Sequence, residues 1–413
     1  MKKYISTISV IMLLAAIAIG IPASHLFDAH ASSIPNQRHR TGTTSPLAYK
    51  RACTDAPAGY ASCLALVSTQ TVKPTFAQAK SHIKRMSTNA TPAIVANATG
   101  SAAPYSPTAL HNAYNLPLTA ATTQTVAIID AYDDPNAETD LATYRSMFGL
   151  PDCTTDSGCF NKVDQTGGTS YPTTNVNWGM ETSLDLDMVS AICQNCNILL
   201  VEANSTSVTD LGKATNEAAA LGANEISLSY AITEFVSELT YCPMYYSHPG
   251  ISVVASSGDT GSGVKFPADC PNVTSVGGTT LNADGTETAW NTSATSGASG
   301  GCSALMKLPS WELSTTTNCS RRAVSDVSAV ADPATGVYIY DTFGESGGLE
   351  VGGTSVATPI IAATFALAGG TPNSTSSATI PWTNSANGCL NTVGNVAYSF
   401  QTGLGSPNGL SCF

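Results

Sequence analysis

Gly352-Gly353-Thr354-Ser355-Val356-Ala357-Thr358-Pro359 runs into the apolar stretch Ile360-Ile361-Ala362-Ala363, so a serine stands at a glycine-rich turn that opens a helix. Glycines there let backbone come close to a bound carbonyl. A helix N-terminus adds N–H donors and the positive end of its dipole, which suit an oxyanion. A nucleophilic serine needs that setting. The same residues also suit an ordinary capped core helix, because Gly-Thr-Ser is common capping chemistry. A second segment, Trp178-Gly179-Met180-Glu181-Thr182-Ser183-Leu184-Asp185-Leu186-Asp187-Met188, puts Glu181 and Asp185 four residues apart on one helix face, with Met188 on the same stripe. Burying two like charges is costly unless they are partnered or one is protonated. Coupling raises one pKa, which suits a general base. The alternative is a solvated acidic face that includes Asp187. In a third segment, Ser256-Ser257-Gly258-Asp259-Thr260-Gly261, Asp259 follows an apolar run. An aspartate there makes a local turn bond or, when protonated, donates a hydrogen bond to an oxyanion.

These segments need a scaffold, and the pattern from about residue 105 supplies one. Short Val- and Ile-rich runs at 125–131, 197–203, 224–229, 251–257 and 273–277 predict strands. Helical patterns at 138–148, 180–192, 208–221 and 234–246 alternate with them. That alternation predicts an α/β fold, with a central, mostly parallel sheet flanked by helices in three layers. Sites in such sheets gather at the carboxyl ends of strands, which is where Asp259 falls.

Lys2-Lys3, the apolar run 8–21 and Ala29-His30-Ala31 read as a secretory signal over 1–31, with an uncleaved anchor as the alternative. The chain has 12 cysteines, an even number that fits an oxidising compartment. Neighbours in sequence suggest the pairs Cys53–Cys63, Cys153–Cys159, Cys193–Cys196, Cys242–Cys270, Cys302–Cys319 and Cys389–Cys412. Cys193-Gln194-Asn195-Cys196 is also a redox or zinc spacing, but no second such pair and no nearby histidine support zinc. Charged residues make up 11% of the chain, so few groups change charge as pH falls and acid destabilises less. A net charge of −12 argues against nucleic acid and anionic membranes. Residues 32–50 are rich in Ser, Thr, Pro and Arg, and 87–103 read as an Ala/Thr/Asn linker.

Taken together, the three segments resemble the sedolisin family, the serine-carboxyl peptidases with a subtilisin-like fold. The family's E-x-x-x-D is met by Glu181 and Asp185, its S-G-D-[ST]-G turn by Asp259, and its G-T-S-x-x-x-P by Gly353-Thr354-Ser355 and Pro359. Phe266-Pro267-Ala268, Val276-Gly277-Gly278-Thr279, Leu308-Pro309-Ser310-Trp311, Ala331-Asp332-Pro333 and Thr402-Gly403-Leu404-Gly405 extend the likeness over about 105–413. The resemblance implies a serine-type endopeptidase acting on proteins or peptides at acid pH. In it Ser355 is nucleophile, Glu181 general base, Asp185 its orienting partner and Asp259 the oxyanion donor. Asp130 matches a further acidic position that extends the proton network. Ser227, Ser229, Tyr230, Gly300 and Gly301 fall where the family lines its substrate cleft. The domain's two histidines, His111 and His248, lack a His-Gly-Thr setting, which disfavours a His triad. The chain divides into a signal (1–31), a short propeptide or N-terminal arm with linker (32–104) and the peptidase domain (105–413).

The chain also departs from the family. Ser227-Leu228-Ser229-Tyr230-Ala231 replaces Ser-x-Ser-Trp-Gly, keeping an aromatic wall but losing a glycine. Ala397-Tyr398-Ser399-Phe400-Gln401 has no carboxylate where the family's calcium loop has an aspartate, so no metal or other cofactor is expected. Cys389–Cys412 would then staple the C-terminal segment. The expected molecule is a secreted monomer whose partners are its substrates, with neither nucleic acid nor, once the signal is cut, membrane. The rival readings are an inactive peptidase fold serving as a binding protein and, more weakly, a lipase or esterase, which would want G-x-S-x-G and a later His.

Overall fold

Apolar runs too continuous to face water on either side become the central strands of a mostly parallel sheet. The computed structural model describes residues 49–69 and 104–413, apart from Ala283 and Ser374. The expected signal and the 87–103 linker lie outside these residues. The first described segment carries β1 (Tyr49–Arg51), β2 (Ser62–Cys63) and β3 (Leu66–Ser68). There follow α1 (Pro107–Tyr114), β4 (Thr125–Ala131), α2 (Ala137–Phe148), β5 (Phe160–Asp164), α3 (Val176–Ile192), β6 (Asn197–Ala203) and α4 (Val208–Ala220). Next come β7 (Glu225–Leu228), β8 (Tyr230–Thr233), α5 (Glu238–Tyr245), β9 (Ser252–Ser256), β10 (Lys265–Phe266), β11 (Thr274–Leu281) and β12 (Glu287–Ala289). The last part holds β13 (Asn291–Ser293), β14 (Ser296–Gly297), β15 (Gly301–Lys307), α6 (Ser314–Thr317), β16 (Arg321–Val324), β17 (Val327–Val330), β18 (Val337–Asp341), β19 (Gly347–Gly352) and α7 (Thr354–Ala368).

The main sheet runs β12-β11-β9-β7-β4-β6-β5, with β17 also on β11. All its pairings are parallel except β11 with β12. The helices α3 and α7 pack on each other and against β4, β7, β9 and β11, and α4 packs on β4, β6 and β7 with α5 beside it. The strands at 125–131 and 197–203 stand where the sequence puts them. β5 gave no strand signal because Phe-Asn-Lys-Val-Asp, on the sheet's edge, is polar at three of five positions with no clean alternation.

Both long helices around the site are buried on nearly every side, which is why neither reads as amphipathic. From Trp178 to Ile192 every residue of α3 is buried, and from Thr354 to Leu367 every residue of α7 is too. Asn175 starts α3 by accepting from the N–H groups of Asn177 and Trp178. The alternative of a solvated acidic face does not hold: Asp187 is buried and accepts from the Tyr340 N–H at 2.8 Å.

Two smaller sheets tie the first segment to the body. β1-β3-β19-β18 is antiparallel, and so is β10-β8-β2. All the described residues belong to one compact unit. All six cysteine pairings suggested by sequence neighbourhood are disulfides here, Cys193–Cys196 and Cys389–Cys412 among them. No helix of the described residues is long and apolar enough to cross a membrane.

Candidate active site

Gly353 is the pivot of the site, because it joins β19 to α7 with φ +106°, a conformation that side chains avoid. A methyl group on it would lie 2.2 Å from the Leu64 carbonyl oxygen and 2.9 Å from Asp259 Oδ2. The next residues are Thr354 and Ser355, in the first turn of α7, where backbone N–H groups have no intrahelical partner. Ser355 Oγ donates to the Ser229 carbonyl oxygen at 3.2 Å, and Ser229 Oγ lies 3.4 Å from the Ser355 carbonyl oxygen. This exchange fixes the serine against the link between β7 and β8.

Glu181 and Asp185 project from α3 toward the same place. Ser229 Oγ donates to Asp185 Oδ1 at 2.8 Å, so Ser229 bridges Asp185 to the backbone of Ser355. Asp259 follows β9, past Gly258. Its Oδ1 accepts from the Thr354 N–H at 2.9 Å and the Thr354 hydroxyl at 2.8 Å, so α7 begins on this carboxyl group. Its Oδ2 has no protein donor and stays on the side of Gly353 and Leu64. Ser355, Glu181 and Asp185 are fully buried and Asp259 nearly so.

For Glu181, Asp185 and Asp130 the electrostatics follow from burial with no cation among the influences on them. Burial pushes Glu181 well above the usual carboxylate range, and the charge of Asp130 adds to it; the Ser355 hydroxyl and the Ala65 N–H pull the other way. Asp185 is pushed up by burial, then by Asp130 and by Glu181, with Ser229 opposing. Asp130, at the end of β4, is pushed up to about 7 by burial. These three carboxyl groups therefore share protons as one coupled set. Burial also raises Asp259, to about 6, against the two bonds from Thr354 and the charge of Arg51.

The cleft residues named from sequence fare differently. Ser229 reaches Asp185, as described. Ser227 is buried within β7. Tyr230 forms no aromatic wall: its ring is fully buried, with its hydroxyl 3.3 Å from that of Tyr246, and only its backbone faces the cleft, paired with Cys63. Gly300 owes its lack of a side chain to packing, since a Cβ would sit 2.1 Å from the Phe400 carbonyl oxygen and 2.5 Å from that of Val324. Gly301 opens β15. None of these last four lines the cavity of about 520 Å³ beside the site; Ala231, Ile232, Thr233, Asp259 and Lys265 do, across from the segment around Leu64. The histidines serve elsewhere: both ring nitrogens of His111 meet backbone carbonyls, and His248 Nε2 meets that of Tyr245.

The C-terminal stretch 397–401 has no carboxylate, the residue type that calcium sites draw on. Among the described residues, Glu234, Glu238 and Asp269 are the carboxylates close enough together to share an ion. They lie beyond β8, where Glu234 accepts from Ser303 and Ala304 and Glu238 from the Phe235 N–H rather than from the four converging groups.

No family model matches the chain. Two known proteins do. Kumamolisin from Bacillus sp. (strain MN-32) is 29% identical over 276 residues, 59% of this chain and 48% of its own length. Sedolisin from Pseudomonas sp. (strain 101) is 37% identical over 113 residues, 25% of this chain and 19% of its own length. Both matches are to sedolisin-type peptidases, and they support the sedolisin family resemblance. Its matches span about half the length of one relative and a fifth of the other. A solved structure of the Pseudomonas sedolisin, described as a serine-carboxyl proteinase, has the same fold: TM-score 0.61 at 24% identity, over 74% of this chain and 95% of that one.

Proposed function

We propose that this protein is a secreted serine-carboxyl endopeptidase that cuts proteins or peptides at acid pH. The convergence of Ser355, Glu181, Asp185 and Asp259 at the start of α7 carries this reading. A substrate carbonyl would lie at Gly353 with its oxygen toward Asp259. Ser355 Oγ attacks the carbonyl carbon and its proton passes to Glu181. The negative oxygen that forms accepts a hydrogen bond from protonated Asp259 and from N–H groups of the first turn of α7. Glu181 returns the proton to the departing amine, and water then hydrolyses the acyl-serine ester by the same route. Asp185, fixed by Ser229, keeps the Glu181 charge coupled and oriented. The mechanism works without a metal or other cofactor, and a single chain holds all four groups.

This chemistry fixes a pH dependence. Ionising Asp259 removes the donor and sets a negative charge beside the oxyanion, so the rate falls as pH rises past about 6. Protonating the Glu181–Asp185–Asp130 set removes the base, so the rate falls in deep acid. Burial raises that set as well, so the acid limb stands above ordinary carboxyl values, and a narrow maximum is expected on the acid side of about 6. The test is hydrolysis of a denatured protein at acid and neutral pH by wild type, Ser355→Ala and Asp259→Asn. Asp259→Asn keeps a donor that needs no proton, so its remaining activity should reach further toward neutral. Wild-type activity that peaks near pH 8, with a limb unmoved in Asp259→Asn, would rule this mechanism out.

A further inference from the structure

A carboxyl group that donates a hydrogen bond carries its proton on one oxygen, and an oxyanion donor needs that oxygen to face the substrate. The surroundings of Asp259 treat its two oxygens differently. Oδ1 accepts from the Thr354 N–H at 2.9 Å and from the Thr354 hydroxyl at 2.8 Å. A backbone N–H can only donate. The hydroxyl is turned to do the same, because its oxygen accepts from the Gly258 N–H at 3.2 Å and its proton points to Asp259. A proton on Oδ1 would therefore meet two others. Oδ2, by contrast, has no protein partner and lies 2.9 Å from where a methyl group on Gly353 would stand. Both ends of this contact are fastened. Thr354 is fully buried, its carbonyl oxygen accepts from the Thr358 hydroxyl at 2.8 Å, and that hydroxyl meets Ser256 Oγ of β9 at 2.6 Å. On the other side Gly258 takes φ +103° and its carbonyl oxygen accepts from the Ser299 N–H at 2.7 Å, while Ser299 Oγ accepts from the Thr260 N–H at 2.9 Å.

We infer that Thr354 decides which oxygen of Asp259 carries the proton, holding it on Oδ2 and so toward the substrate. The inference rests on the peptidase reading and adds a positioning residue to it. Thr354 acts through Asp259. A neutral Asp259 without fixed donors would present its bare carbonyl oxygen to the forming oxyanion as readily as its proton. Two donors on Oδ1 remove that choice, leaving Oδ1 as acceptor and Oδ2–H as donor. The same two donors stabilise the ionised form, so Asp259 ionises at lower pH than burial alone would allow. The Thr354 hydroxyl thus fixes the donor and also narrows the pH range in which the donor exists. Three charged or titratable groups face Asp259 from neighbouring elements. They are Glu181 on α3, which feels its charge, Arg51 on β1, whose charge favours its ionised form, and Lys265 on β10, which lines the same cavity. None of the three donates to Oδ1, so the effect of the hydroxyl is separable from theirs.

The experiment measures kcat and KM on a fluorescently labelled denatured protein across the acid and neutral range. The enzymes are wild type, Thr354→Val, Thr354→Ser, Asp259→Asn and the double variant that joins Thr354→Val to Asp259→Asn. Thr354→Val keeps the shape and the N–H and loses the hydroxyl. Its kcat should fall by roughly tenfold, less than the 10²–10³ of losing an oxyanion donor outright, with KM little changed. Its alkaline limb should move up by about one pH unit, the share of one donor where two or three hold a carboxylate pKa below about 2. Thr354→Ser keeps the hydroxyl and should hold the limb at its wild-type place. With Asp259→Asn there is no proton to place, so adding Thr354→Val should leave the limb where Asp259→Asn has put it. Circular dichroism and melting temperature report folding, and Thr354→Ala takes the place of a valine variant that does not fold. A limb that moves in Asp259→Asn but not in Thr354→Val would overturn the role of Thr354 and leave the peptidase reading standing. So would a limb displaced as far in Thr354→Ser as in Thr354→Val, which would give the effect to shape instead of the hydroxyl. A limb that Thr354→Val moves equally in the Asp259→Asn background would assign the shift to another group and overturn the inference too. A wild-type limb unmoved in Asp259→Asn would reject Asp259 as the donor, and this inference with it.

Discussion

Two groups of buried carboxylates divide the labour in this molecule. Beneath the C-terminal segment, Glu312 and Asp326 flank Arg322, and all three side chains are fully buried. Each carboxylate there has further donors: the Ala323 N–H at 2.9 Å for Glu312, and the Ser275 N–H and Trp382 Nε1, both at 2.8 Å, for Asp326. Burial alone would depress the guanidinium, yet the two carboxylates hold it above its usual range. Around Ser355 the position is reversed. Glu181, Asp185 and Asp130 are buried with no cation among the influences that shift them, and one oxygen of each acid, both in Asp130, has no protein donor. Compensated charge is a fastening, whereas uncompensated charge is a proton store held at a cost in stability.

Removing one charge from each group should break the comparison open. Glu181→Gln is expected to lower turnover of a denatured protein at pH 4 by on the order of 10⁴-fold or more, since residues acting as a unit fail singly. Its melting temperature at pH 7 should hold or rise, because a group that resists ionisation has gone. Full activity in Glu181→Gln would reject the base. Arg322→Met should do the opposite. It strands Glu312 and Asp326 in the interior, a loss of roughly 3–5 kcal/mol for breaking such a cluster from one side. Calorimetry should then show a large drop in melting temperature, with activity per folded molecule retained.

The proposed catalytic side of this contrast was legible because its residues come in contiguous motifs. The i, i+4 spacing of Glu181 and Asp185 sets them on one face wherever the helix goes, and Gly353-Thr354-Ser355 carries its own turn. What lies between the motifs was not legible. Ser229 meets Asp185 across 44 residues, and a serine in a strand says nothing of its partner. β2 has two residues and no alternation to read, so its seat on β8 depends on a pairing that no local pattern encodes. Tyr230 was misjudged for a related reason: the strand's twofold alternation decides which neighbour faces the cleft, and its phase is set by tertiary packing. The Arg322 cluster escaped notice because Glu312, Arg322 and Asp326 belong to no shared helix face.

A smaller effect tests the proton store as a whole. Unfolded carboxyl groups titrate near 4. Burial moves Asp259 to about 6 and Asp130 to about 7 in the folded chain. Below pH 4 both states are protonated and these groups cost nothing. As pH rises, the unfolded chain releases its protons first, so stability is lost progressively through the window from 4 to 7. Melting temperatures of Ser355→Ala, chosen to prevent self-digestion, should fall from pH 4 to pH 7. The fall should be shallower in the double variant that adds Asp130→Asn. A melting temperature that climbs across this range would mean these carboxyl groups ionise freely.

The smallest expected effect concerns metal, and it sets both groups against a third. The C-terminal stretch 397–401 has no carboxylate, and the Cys389–Cys412 disulfide ties residues on either side of it. Chelator at pH 5 should therefore leave melting temperature and activity unchanged, while reductant lowers both, because the staple limits the freedom of the unfolded chain. Glu234, Glu238 and Asp269 make this a real test. Neither oxygen of Asp269 has a protein donor, and Glu234 is already engaged by Ser303 and the Ala304 N–H. Without an ion Asp269 and Glu238 must hold a proton between them: burial, then the charge of Glu238, pushes Asp269 well above the usual range, and burial raises Glu238 too. A proton shared between Asp269 and Glu238 serves as well as calcium in acid but not at neutral pH. A drop in melting temperature on chelation, abolished in Asp269→Asn, would place an ion at this cluster and overturn the metal-free reading. An unchanged melting temperature from pH 5 to pH 7 would leave the cluster as a third, proton-bridged way of burying acid.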